Sequence, residues 1–68
     1  MEKEEKKELE ALITYMVRHN EHHTDELKDL LLKAGSVDTE AAGKIKEAIF
    51  SFEKGNEALK AALSELTK

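Results

Sequence analysis

The stretch HNEHH, residues 19–23, holds all three histidines of the chain. Imidazole is both a general acid/base and a common transition-metal ligand, so the spacing of these rings sets what they can do. On a helix, residues four apart lie one turn apart on the same face. His19 and His23 have that separation and can offer two nitrogens to one divalent ion such as nickel, cobalt, zinc or copper. Two ligands alone bind weakly. Glu26 and Glu53 are the carboxylates that could join as a ligand or orient a ring, and a two-fold axis nearby would bring a second His19 and His23 to make four nitrogen donors. His22 falls on the outward face.

Catalysis fits these residues poorly. The zinc-protease helix needs a glutamate directly after its first histidine, beside the metal-bound water. Here Glu21 follows His19 by two residues, which turns it about 200° around the helix, away from the site. A ferritin-like di-iron site needs a glutamate three residues before a histidine, and only the reverse order, His23 to Glu26, occurs. The chain has no cysteine and no glycine-rich phosphate loop, and Ser36, Ser51 and Ser64 are remote from the histidines or on helix-surface positions. No catalytic residue is predicted, and the chain reads as non-enzymatic.

These side chains must be positioned by helices. With 68 residues, 38% charged and 40% hydrophobic, no proline, and Tyr15, Phe50 and Phe52 as its only aromatics, the chain has the profile of long, surface-charged helices in one small domain, residues 1–68. The formal net charge of −4, with acidic and basic residues interspersed, leaves no cationic stripe for nucleic acid. No apolar run approaches the ~20 residues that span a bilayer, and the N-terminus lacks the apolar core of a signal peptide. A soluble, cytoplasmic protein is the expectation.

Apolar periodicity stops only at AGSVDTE, around Gly35. Gly35 suits the left-handed residue just past a helix end, and Ser36 or Asp38 suits the cap of the next helix. The reading is therefore all-α, with helix 1 over about residues 3–34, a turn at 35–37, and helix 2 over about 38–67. Helix 1 carries Leu9, Ile13, Met16, Asn20, His23, Leu27, Leu30 and Ala34 at 4-3 spacing, widened by Leu12 and Leu31, and helix 2 carries Ala42, Ile45, Ile49, Phe52, Asn56, Leu59, Leu63 and Leu66 in the same pattern, broadened by Ala48 and Ala62. So short a connection folds the two helices into an antiparallel hairpin. The alternative, a monomeric three-helix bundle, would need helix 1 to break near residues 19–24, where there is neither proline nor glycine.

The two seams place Asn20, His23 and Asn56 in one polar layer near mid-height, where a lone polar group in an apolar seam fixes register. Gly55, beside Asn56, costs roughly 1 kcal/mol in a helix interior and is expected to permit close approach of a neighbouring helix. Two helices alone cannot readily offset a chain-ordering cost on the order of 100 kcal/mol. Two hairpins packed as a four-helix bundle would supply the missing surface, through the seam residues Leu9, Ile13, Met16, Leu27, Leu30, Ile45, Ile49, Phe52, Leu59 and Leu63.

The segments YMVRHNEHHTDEL and FEKGNEALKAAL together resemble a family of small uncharacterised bacterial helical-hairpin domains with His-Asn-x-x-His and Gly-Asn motifs, some found in cobalt- or cobalamin-handling contexts. The likeness runs from about Leu9 to Leu66. It implies that His19, Asn20, His23, Gly55 and Asn56 belong to one site, and it carries no catalytic assignment. The functional expectation is a homodimerisation or partner-binding module. The alternatives are a metal-binding accessory protein using His19 and His23, and an adaptor that receives a helix from another protein.

Overall fold

The computed structural model describes residues 2–68; Met1, the first residue of the expected domain, lies outside the described residues. The chain is two α-helices and a tight turn, α1 (Glu2–Gly35) and α2 (Thr39–Leu66), packed against each other as an antiparallel hairpin. At ~1.5 Å per residue, the 34 residues of α1 account for the 53 Å long axis of the molecule. Helix 1 is therefore continuous through residues 19–24. Two of its weaker helix formers spend their hydroxyls on the helix itself: Thr14 Oγ1 donates to the Glu10 carbonyl and Thr24 Oγ1 to the Asn20 carbonyl, each at 2.8 Å.

The turn differs from the expected glycine cap. No glycine has positive φ, and Gly35 is the last residue of α1. The Ala34 carbonyl accepts from the amides of Val37 at 3.0 Å and Asp38 at 2.8 Å. That tightened last turn satisfies the helix end without a left-handed residue. Asp38 then caps α2 in an extended conformation, its carboxylate accepting from the amides of Glu40 and Ala41.

The buried line on α1 also departs from the expected one. Ile13, Asn20, Leu27 and Ala34 face α2, but the positions alternating with them are Val17, Thr24 and Leu31, whereas Leu9, Met16 and Leu30 stay 45%, 43% and 50% exposed. The 4-3 spacing is the same; its alternate members move on by one residue, about 100° around the helix. On α2, Ala42, Ile49 and Asn56 are buried and Ile45, Leu59, Leu63 and Leu66 half-buried, with Phe52 at 40%. Val17 and Thr24 are compact, β-branched residues, and lining the seam with them lets Asn56 reach the main chain of α1.

This seam is thin. Its most enclosed side chains are Val17, Ala42, Ile49, Thr24 and Asn56, and each keeps 7–9% of its surface exposed. The accessible surface, 5536 Å², exceeds by about a quarter the roughly 4,300 Å² that a compact monomer of this mass exposes. Among the described residues no helix is long and apolar enough to cross a membrane.

Candidate functional site

Mid-height of the hairpin holds two polar groupings. The first crosses the seam. Asn20 Nδ2 donates to Asn56 Oδ1 at 3.2 Å, and Asn56 Nδ2 donates to the Val17 carbonyl, also at 3.2 Å. Two positions thirty-six residues apart are thereby locked to one level. The Val17 carbonyl has two lone pairs, so accepting from Asn56 need not cost it a place in the helix ladder. No buried side-chain nitrogen or oxygen among the described residues lacks a partner. Thr24, which the sequence pattern did not single out, is buried beside this pair.

His23 is not in that layer. Its ring turns sideways, along α1. Nε2 lies 2.9 Å from His19 Nε2, and Nδ1 lies 3.1 Å from Glu26 Oε1. The two imidazoles meet edge to face, with centroids 4.4 Å apart. Tyr15 stacks on the other side of His19 at 5.6 Å, and Phe52 of α2 approaches His23 at 6.4 Å. One turn of spacing along α1 thus produces a contiguous row from Tyr15 through His19 and His23 to Glu26. His22 stands outside it, 73% exposed, with its Nε2 3.9 Å from Glu26 Oε1.

Glu53 takes no part in this row. It pairs with Lys28 at 3.8 Å, and Lys60 pairs with Glu21 at 3.5 Å. Both pairs bridge the helices on the side of the hairpin opposite the histidines, because residues 21 and 28 flank one edge of the α1 seam and residues 16, 23 and 30 flank the other. They line an open, charged groove with Asp25 and Glu57, a solvated surface in character. Among the described residues, no group of three or more His, Cys, Asp or Glu side chains is placed to hold a metal ion.

Gly55 is not pressed by a neighbouring helix. A Cβ built on it, or on Gly35 or Gly43, would meet nothing within 4 Å. Instead it belongs to a row of small residues, Ala41, Ala48, Gly55 and Ala62, seven apart along the edge of α2 next to Phe52. Across the hairpin, the matching edge of α1 carries Leu9, Met16, His23 and Leu30 at the same seven-residue interval. One side of the hairpin therefore offers large side chains on α1 and gaps on α2. The other side is charged.

No curated protein and no solved structure matches the chain. A family model does, over residues 9–66, from Leu9 of α1 to the last residue of α2. The match takes in both helices, the turn, the Asn20–Asn56 pair and the histidine row, and the chain belongs to the family described as a domain of unknown function, DUF8180.

Proposed function

We propose that this hairpin is a non-enzymatic self-association module, two copies of which stack through the histidine-bearing side into a four-helix bundle. The observation that carries the reading is the matched pair of edges. Leu9, Met16, His23 and Leu30 recur every seven residues on α1, and Ala41, Ala48, Gly55 and Ala62 recur at the same interval on α2. Large residues on one helix fit small ones on another when knobs enter holes. A two-fold axis parallel to the helices lays α1 of each copy over α2 of its partner, antiparallel, with the two turns at the same end. The contact is then isologous and closed, which stops assembly at two.

The surface arithmetic is in keeping with this. Covering the excess of about 1,200 Å² per chain gives a total of roughly 2,400 Å², the size of a permanent interface. The half-exposed Leu9, Met16, Leu30 and Phe52 would supply its apolar centre.

Sedimentation equilibrium tests the reading. The wild-type chain should sediment as a dimer, and Met16→Glu should give a helical monomer, since the hairpin seam does not need Met16. Leu32→Glu, a position 79% exposed and off the proposed face, should leave the dimer intact. A stable, fully helical wild-type monomer at high concentration would overturn the proposal in favour of an adaptor awaiting a foreign helix.

A further inference from the structure

We propose that His19 and His23 form a chelate for one late divalent transition ion, nickel or copper in preference to zinc, with Glu26 as the group that orients the His23 ring. The inference goes beyond self-association, because both ligands and the orienting carboxylate come from a single chain.

The argument begins at Glu26. An ionised carboxylate only accepts hydrogen bonds, so the 3.1 Å contact from Glu26 Oε1 to His23 Nδ1 places the ring hydrogen of His23 on Nδ1. Nε2 of His23 then carries a lone pair, and that lone pair points at His19. The 2.9 Å separation of the two Nε2 atoms is a hydrogen bond in which His19 Nε2–H donates to His23 Nε2. An ion that takes the place of this hydrogen needs only that His19 keep its single ring hydrogen on Nδ1 instead. Both rings stay neutral and no proton leaves the pair; the rings swing out of their head-on contact so that both lone pairs face the ion.

Each ring is held independently. Tyr15 stacks against His19 at an interplanar angle of 15°, while His23 is fixed by Glu26 on its own helix and approached by Phe52 from α2. A carboxylate behind a ligating imidazole is the arrangement that orients the ring and raises its basicity.

The separation also speaks to the metal. Two nitrogens 2.9 Å apart and ~2.0–2.1 Å from a common ion subtend about 90°. That is the angle between neighbouring positions of a square-planar or octahedral ion, and it is narrower than the tetrahedral angle of zinc. Water completes the shell, since the remaining acidic residues near the pair are not grouped as ligands.

The experiment is calorimetric titration of the full chain with the chloride salts of nickel, copper and zinc, paired with thermal melts. Nickel and copper should bind one ion per chain and raise the melting temperature, zinc should bind no tighter than nickel, and copper should give a visible absorption band. His19→Ala and His23→Ala should each lower nickel affinity at least tenfold. Glu26→Ala should lower it about 10–100-fold while leaving both ligands in place. His22→Ala should change it less than twofold. Circular dichroism would verify that the variants stay helical, as expected for rings outside the seam. Equal dependence on His22, stabilisation by zinc alone, or no metal-linked rise in melting temperature would each overturn the proposal. His23 also lies on the edge proposed for self-association, so the titrations are made on the Met16→Glu monomer as well, where nickel binding that depends on His19 and His23 is expected whatever the oligomeric state of the wild type.

Discussion

Asn56 is the residue on which the hairpin's alignment turns. Its amide accepts from Asn20 and donates to the Val17 carbonyl while nearly enclosed. Truncation to alanine leaves the Asn20 amide facing an apolar gap, so Asn56→Ala should cost about 1–3 kcal/mol, read from the urea midpoint at unchanged slope. Replacing both partners is a different experiment. With Asn20→Leu and Asn56→Leu together no buried polar group is stranded, and the double variant should melt higher than the parent. What it loses is the one interaction that forbids a slipped register, so its amide NMR spectrum should broaden or double as alternative alignments become populated. A double variant that melts lower with a single sharp spectrum would show that the pair serves stability and not alignment.

Each helix is specified by local chemistry that can be tested at its ends. Asp38 bonds two otherwise unpartnered amides at the start of α2, and Asp38→Ala should remove about 1 kcal/mol, a fall of roughly 4–8 °C in melting temperature for a domain this small. Gly35 tests the turn in the opposite direction. Because its φ is not positive and a Cβ there meets nothing within 4 Å, Gly35→Ala should stabilise by about 0.4–1 kcal/mol, mainly by restricting the unfolded chain. In a left-handed cap the same change would destabilise. The sign of the shift in melting temperature therefore reads the conformation of residue 35 directly.

For the molecule as a whole, Gly55 separates the hairpin from the assembly. Within one chain the position is open, so Gly55→Leu should gain nearly 1 kcal/mol of helix propensity. In two stacked hairpins the same side chain would fill a gap meant for a large residue of α1, an overpacking cost of roughly 1–3 kcal/mol per site. Gly55→Leu should accordingly shift the equilibrium towards monomer while raising the stability of the monomer at high dilution. Both are read in one series of melts against concentration, since a dimer's melting temperature rises with concentration and a monomer's does not. A concentration-independent gain at all dilutions would mean that α2's small edge contacts no partner.

The sequence by itself determined the two helices, their antiparallel return at AGSVDTE, and the level at which Asn20 meets Asn56; it favoured a continuous α1 through HNEHH over a break, and the structure decided that choice. These follow from short-range rules: seven-residue spacing, absent breakers, a capping aspartate, and a connection too short to allow any other path. The family match over residues 9–66 agrees with that extent. Only the tertiary structure decided which of two neighbouring lines on α1 faces α2. Spacing does not choose between them, since the line through Leu9, Met16, His23 and Leu30 and the line through Val17, Thr24 and Leu31 keep the same interval. The seam runs through Val17, Thr24 and Leu31, because compact residues there admit the Asn56 amide to the Val17 carbonyl and a seam of larger side chains would hold the helices apart. Moving only the alternate members on by one residue turns the buried face by about 50°, half of one residue's step, and takes His23 out of the polar layer and into its row with His19 and Glu26. It also leaves Gly55 in open space. Neither outcome is encoded in the spacing of a single helix, since each depends on what the other helix brings to the same level.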